Sequence, residues 1–502
     1  MNFVSYVCLR SQGHPSAVAV RSGSESWTYG ELLDDVRTAA NVLADHGVED
    51  GSRVGLMLHN RYEFVVGTLA TLARRAIVVP INPDYKRHEL GHILGQSTPE
   101  VVLGTASAYE HAADELPVGT DWFDVGDRNS DRTGFWDAMA TAADEYRIPK
   151  TLDSKRAFLL YTSGTTGQPK GVVHTHDNFI AVSDACAISY EVTPGDGFLA
   201  AMPMYHCTGM SVLGTTLKYG GELVLVSEWD PERTLRAIDE YDVNVFSGVP
   251  TMYQDWLNVD DGIDTGSMHT AVIGGAGTTA ELIRRSEALL DCPVLNGYGM
   301  TESFIAGIWE RRNDERRLPS VGRTTDRLVE VRVVDPDSGD DQPPGEPGEL
   351  LIRGRPMMEE YFDEPEKTAA AFDDDGWFHT GDWARIDADD YLYIVDRMDY
   401  TILCGGHNVY PQEIEGVIES LDGVDSAVVV GREDDRKGAK PIALVTDNGD
   451  PPSADEIKTY CLENLAPYKH PREVQFVDEL PRNDVGKVDR DASANLLPSS
   501  RS

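Results

Sequence analysis

The sequence predicts an α/β protein of more than one domain. Helix-covered sheets fill a large N-terminal part, a β-rich subdomain follows, and a small α+β part closes the chain. Three observations carry this expectation. The chain has 502 residues, too many for a single hydrophobic core. Short apolar runs alternate with amphipathic helical patterns, as parallel sheets covered by helices require. A stretch rich in Pro, Gly and Asp at 336–348 then breaks the alternation and leads into a new strand.

Taken in order, residues 31–46 show helical spacing in Leu32, Leu33, Val36, Ala39 and Leu43, and 53–58 follow as a buried strand. Residues 76–80 form another apolar strand, ended by proline. The segment 121–147 is polar and acidic and reads as a surface excursion. Between 155 and 310, strands at 222–226, 243–247 and 270–273 alternate with helices. Residues 349–353 are a strand of the β-rich subdomain. The region 400–502 carries strands at 427–431 and 441–446 and helices at 412–421 and 454–465, enough for a small α+β domain. No internal repeat and no low-complexity linker is visible.

Composition excludes several classes. Hydrophobic residues make up 41% of the chain, ample for a globular enzyme, yet no apolar run reaches 18 residues, so no transmembrane segment is expected. The first fifteen residues lack the basic-then-apolar layout of a secretory signal. Cys8, Cys186, Cys207, Cys292, Cys404 and Cys461 are scattered, which predicts reduced thiols in a cytoplasm rather than a disulfide framework or a zinc site. His174 and His176 form an H-x-H without a nearby third ligand and read as solvent-facing residues beside a loop. Acidic residues number 85 against 44 basic ones, a formal charge of −41, and the basic set holds 33 Arg and only 11 Lys. That sign disfavours nucleic acid as a partner. With normal apolar content it predicts a halophilic protein, since a Debye length of roughly 3 Å at 1 M salt screens the self-repulsion.

Residues 161–171 read YTSGTTGQPKG. Gly164, Gly167 and Gly171 let the backbone turn its N–H groups toward an anion. Thr162, Ser163, Thr165 and Thr166 add hydroxyl donors, and Lys170 adds a positive charge in a lysine-poor chain. The spacing G-x-x-G-x-x-K differs from the Walker pattern. Apolar runs on both sides predict a mobile loop joining two strands and suited to phosphate oxygens.

Four further strings stand downstream: NGYGMTE at 296–302, GWFHTGD at 376–382, DRMDYTILCGGHNVYPQEIE at 396–415 and PRNDVGK at 481–487. In this order the chain resembles the superfamily of adenylate-forming enzymes, which contains acyl-CoA synthetases, peptide-synthetase adenylation domains and firefly luciferase. The resemblance runs from Thr28 to Lys487. It implies an N-terminal AMP-binding domain over 1–396, a hinge at 397–400 centred on Asp399, and a C-terminal domain over 401–502. It also implies ATP, Mg²⁺ and CoA as the small molecules handled.

The resemblance assigns the 161–171 loop, including Thr162 to Gly167 and Lys170, to the β- and γ-phosphates. It implies Thr301 at the α-phosphate, Glu302 on magnesium, Tyr298 against adenine with Gly297 and Gly275 beside it, and Asp382 and Arg397 at the ribose. Lys487 would bridge the carboxylate and the α-phosphate. His206, Val249, Ala276 and Gly299 would line the acyl pocket, with His206 as its gate. Gly405 and Gly406 would line a tunnel for pantetheine. The string PMYHCTG at 203–209 lacks the acid that pairs with an amino-acid substrate. Gly299 stands where acetyl-CoA synthetases carry a Trp, so the absent ring predicts room for a medium- or long-chain fatty acid, or an aryl acid, rather than acetate. An aryl acid, or transfer to a separate carrier protein, is the alternative; a catalytically silent nucleotide-binding protein is a remote one. Arg74 and Arg75, Tyr400 and His407 depart from the family's pattern. The sequence leaves the oligomeric state open, a homodimer included.

Overall fold

A computed structural model describes residues 2–126, 134–148, 154–162, 169–259, 262–305, 308–312, 315–324, 328–404, 407–434, 438–447, 449, 451–483 and 486–497. The architecture is mixed α/β, with large helix-covered sheets in the N-terminal part and a smaller C-terminal part. Among the described residues there are four sheets. The largest runs, in spatial order, Ile308–Trp309, Val294–Tyr298, Thr270–Gly274, Val243–Gly248, Gly197–Ala200, Glu222–Leu225, Val18–Ser22 and Glu25–Thr28. It is parallel except for the strand at each edge. The second runs Glu360–Tyr361, Gly171–Thr175, Arg156–Tyr161, Ile77–Pro80, Arg53–Met57, Val101–Gly104 and Asp121–Asp124. Its Gly171–Thr175 and Glu360–Tyr361 strands are antiparallel additions to a parallel set.

Several helices begin where a Thr, Ser or Asp side chain satisfies a free N–H group. Thr28 and Glu31 form a capping box at the start of Tyr29–Asp45, and Leu32, Leu33, Val36, Ala39 and Leu43 give it a buried face. Helix Tyr62–Ala73 is buried all round between layers and accordingly has almost no polar face. One continuous apolar cluster links both large sheets, from Phe3 and Val20 through Phe158 and Phe179 to Leu295.

The β-rich part is an antiparallel sheet of Val329–Val334, Gly348–Gly354, Phe378–Ile386 and Leu392–Arg397. The last sheet holds His407–Val409, Ile402–Cys404, Gly438–Asp447 and Val424–Asp434, with Glu473–Phe476 added in parallel. Its core, built from residues such as Ile414, Val429, Ala443 and Ile457, draws on this C-terminal part alone. Helices Pro411–Ile418 and Ala454–Asn464 cover it.

Two expectations fail. Part of 121–147 is built into the fold: Asp121–Asp124 is an edge strand, and Phe123 and Phe135 are buried. Local acidity hid a four-residue strand whose aromatic centre faces the core. His174 and His176 do not face solvent; both are fully buried, His174 in a strand covered on both faces and His176 at the start of the largely buried helix His176–Tyr190. No helix among the described residues is long and apolar enough to cross a membrane.

Candidate active site

The ends of the phosphate-type loop are fixed by an antiparallel ladder that aligns Tyr161 with Gly171. The Thr162 N–H donates to the Lys170 carbonyl at 3.1 Å, and the Lys170 N–H donates to Thr162 Oγ1 at 3.2 Å. Ser163, Gly164, Thr165, Thr166 and Gly167 lie outside the described residues. Strand Glu360–Tyr361 pairs with the strand that leaves the loop and sets Tyr361 opposite Val172. Lys170 Nζ donates to the Tyr361 hydroxyl at 3.1 Å, and that hydroxyl donates to Glu302 Oε1 at 2.7 Å. The ammonium lies 3.9 Å from the same carboxylate oxygen.

Thr301 and Glu302 occupy a single 3₁₀ turn, Thr301–Ser303, just after strand Val294–Tyr298. Two anchors hold it. His174 Nε2–H donates to the Thr301 carbonyl at 2.8 Å, and the Met358 N–H donates to the Glu302 carbonyl at 2.7 Å. Burial lowers the His174 pKa to about 4, so its ring is neutral with the proton on Nε2. Thr301 Oγ1 stands 3.9 Å from Cys207 Sγ, which brings the His206–Cys207 corner to the same place.

Asp382 and Arg397 are direct partners across two antiparallel strands. The buried Asp382 carboxylate receives the Tyr298 hydroxyl at 2.5 Å and faces Arg397 Nε at 3.2 Å. Burial raises its pKa, while Arg397 and Tyr298 oppose that rise. Arg397 also reaches Asp399, exposed on the 3₁₀ turn Met398–Tyr400, at 3.8 Å.

The C-terminal part meets this site along 275–279. Gly275 has φ +80°, and a Cβ there would lie 3.1 Å from Lys487 Nζ and 3.6 Å from Val249 Cγ1. Lys487, Gly275 and Val249 are therefore neighbours, and the space beside the lysine exists because residue 275 has no side chain. Thr251 Oγ1 donates to the Gly486 carbonyl at 3.0 Å and tethers the lysine's loop. Ala276 follows, exposed. Gly405 and Gly406 lie outside the described residues, and His407 beside them stacks on Tyr468 with ring centroids 4.5 Å apart.

The pocket argument drawn from Gly299 needs correction. A Cβ at Gly299 would run into the Ile305 carbonyl and backbone. Phe304 and Ile305 adopt positive φ of 51° and 62°, folding the chain back over that position. The glycine is required by backbone packing, so it does not by itself open a space for a long acyl chain.

Three residues escaped sequence reasoning. Tyr361 carries no motif of its own, and the H-x-H that holds His174 gave no sign of its bond to the Thr301 carbonyl. Asn60, 4% exposed, donates to the carbonyls of Ala200 and Met202 and accepts from the Met204 N–H, all within 2.9 Å, steadying the segment that leads to His206. No local signal flags the last, since Asn60 stands between His59 and Arg61 in a polar segment after the strand.

Among the described residues no cluster of three or more His, Cys, Asp or Glu stands ready for a metal. A divalent cation would take Glu302 as a lone protein carboxylate and draw its other oxygens from phosphates and water, which suits Mg²⁺.

A strand-joining segment closed at Thr162 and Lys170, a buried acid–arginine pair and a lysine brought in from the C-terminal part meet at one place in a protein of two parts. The family model described as AMP-binding enzyme matches residues 9–362, and the AMP-binding enzyme C-terminal domain matches 413–487. The chain belongs to the AMP-binding enzyme family. It is similar to a feruloyl-CoA synthase of an Amycolatopsis species, 34% identical over 96% of both chains. The long-chain-fatty-acid–CoA ligase FadD13 of Mycobacterium tuberculosis is 33% identical over 92% of this chain and 91% of its own. The crystal structure of ATP-bound MatB from Rhodopseudomonas palustris superposes with a TM-score of 0.90, at 30% identity and 98% coverage of each chain.

Proposed function

We propose that this chain is an AMP-forming acid–thiol ligase that activates a carboxylic acid, a medium- or long-chain fatty acid in the leading reading. The observation that carries the proposal is the meeting of Lys487 with Gly275 and Val249, close to the Thr301–Glu302 turn, from a separate structural unit. A substrate carboxylate oxygen attacks the α-phosphorus of ATP and expels pyrophosphate. The CoA thiolate then attacks the acyl carbonyl, and AMP leaves with the bridging oxygen and its electron pair.

The first step needs charge neutralisation along the phosphates and alignment of the two reactants. In this reading Lys170 and the 162–167 loop grip the β- and γ-phosphates, and Thr301 contacts the α-phosphate. Glu302 would hold a magnesium ion, which when bound would supply positive charge to the phosphates. Asp382 and Arg397 orient the ribose, with Gly297 and Tyr298 at the base. Lys487 spans the attacking carboxylate and the α-phosphate. His206, Val249 and Ala276 border the acyl group. Residues 1–396 act as the nucleotide-binding domain, and 401–502 turn about Asp399 to present Gly405 and Gly406 to pantetheine. The acidic surface fits a cytoplasm rich in salt, and lipid metabolism is the setting the leading substrate implies.

An aryl acid is the second reading, favoured by the likeness to a feruloyl-CoA synthase. Pyrophosphate release with C2 to C18 and aryl acids, in concentrated KCl with magnesium, separates the two. Omitting free CoA from acyl-thioester assays, with a carrier protein supplied instead, addresses the alternative acceptor. Lys487→Ala should slow adenylation on the order of 10²–10³-fold, yet still convert a supplied acyl-adenylate to thioester. Near-normal pyrophosphate release by that variant would remove Lys487 from the mechanism.

A further inference from the structure

Lys170 and Glu302, the two charges on the phosphate side, are joined through a residue with no assigned task. We infer that Tyr361 is a positioning residue whose hydroxyl holds the Glu302 carboxylate and the Lys170 ammonium apart and in register for a magnesium–triphosphate. The inference rests on the proposed function.

Tyr361 is 4% exposed and belongs to an apolar cluster with Val172, Met358 and Phe378. Its backbone is pinned by pairing with Val172, and its N–H donates to Thr368 Oγ1 at 2.9 Å. The ring therefore delivers its hydroxyl to one point. That hydroxyl has a single proton, and a charged ammonium cannot accept it. The proton goes to Glu302 Oε1 at 2.7 Å, and a lone pair faces Lys170 Nζ at 3.1 Å. The direction of the chain is thus fixed from lysine to tyrosine to glutamate. Without the hydroxyl, an ammonium already 3.9 Å from the carboxylate would close into a direct ion pair. The incoming cation would then have to break that pair to reach Glu302. Lys170 Nζ also lies 4.3 Å from the Tyr361 ring centre, a contact that phenylalanine would keep.

Tyr361→Phe isolates the hydroxyl. Titration calorimetry of ATP into the full chain, with magnesium and again with EDTA, reads its effect without turnover. We expect the variant to bind ATP about tenfold more weakly with magnesium, the scale of one hydrogen bond to a charged group, and to change much less in EDTA. The KM values for acid and CoA should hold, and Tm should fall little. Wild-type affinity in both media, or equal weakening in both, would overturn the inference and leave the proposed function standing. A wild-type chain that binds no ATP in either medium would overturn both.

Discussion

His174 shows how much a single buried side chain decides. It crosses from the strand after the phosphate loop to the carbonyl of Thr301, and Phe304 packs edge-on against its ring at 4.8 Å. His174→Leu keeps the volume but strands that carbonyl, which should cost about 1–3 kcal/mol of stability and lower the rate of pyrophosphate release. The effect should depend on pH with a definite sign. The folded-state pKa is lowered to about 4 by burial, below the unfolded value of about 6.5. The stability linked to a neutral His174 is therefore complete above pH 6.5 and lost as pH falls toward 4. Thermal unfolding at pH 7 and pH 5 should show the gap between wild type and His174→Leu narrowing on acidification. The sequence pointed to Lys170, Glu302, Asp382 and Lys487 because each stands in a dense motif. His174, Tyr361 and Asn60 were illegible because their tasks depend on partners 127, 59 and some 140 residues away. Gly299 was misread for a local reason: the atom that fills its side-chain space belongs to Ile305, six residues on, whose left-handed backbone no pattern announces.

At the scale of elements, periodicity located the long helices and central strands within a few residues, as with Tyr29–Asp45 and Val243–Gly248. Pairing was another matter. Val18–Ser22 joins Glu222–Leu225, and nothing local to either run says so. The Asp121–Asp124 strand is short and begins and ends in acids, so its composition imitates a loop. Between elements, the segment from Ala200 to His206 must turn sharply before helix Cys207–Tyr219, and a Cβ at Gly209 would strike the Pro203 carbonyl. Asn60, just past strand Arg53–Met57 of the other large sheet, supplies that turn's missing hydrogen bonds. Asn60→Ala would leave the Met202 carbonyl and the Met204 N–H buried without their Asn60 partner, while the Ala200 carbonyl keeps the Val226 N–H at 3.2 Å, a loss of about 2 kcal/mol. Denaturant unfolding should register it as a lower midpoint with little change in slope. Because the same turn carries His206, the KM for the acid should rise more than the KM for ATP; equal rises would mean that the loop does not border the acyl group.

At the scale of the whole molecule, charge is the dominant variable, and two titrations act within it. Burial raises Asp396 to about 6 and Glu419 to about 8, and both support the C-terminal part. Asp396 accepts N–H bonds from Arg397 and Gln412, while Glu419 accepts one from Ala427. For acids raised in the folded state, the linked stability is complete below the unfolded pKa near 4 and is lost as pH rises through 6 and then 8. At constant high KCl, Tm should therefore decline between pH 5 and 9, and Glu419→Gln should flatten the upper half of that decline. The larger effect is ionic. With 85 acids and 44 basic residues, pairing leaves a large surplus of like charge, however many ion pairs form. Pairs such as Arg317 with Asp389 at 2.7 Å are exposed and contribute little each. In 0.1 M KCl the Debye length of about 10 Å lets neighbouring acids repel one another, and near 1 M, at about 3 Å, that repulsion is screened. A few kcal/mol recovered this way would raise Tm by about 3 °C in a chain of this size, whose unfolding entropy is about 1 kcal/mol per kelvin. Calorimetry from 0.1 to 3 M KCl should show the rise concentrated at the low end, where the Debye length changes most. Sucrose, which is excluded from protein surfaces but screens nothing, should not substitute for the salt at matched osmolality. A Tm that is flat across KCl, or raised equally by sucrose, would mean that charge screening is not what this composition serves.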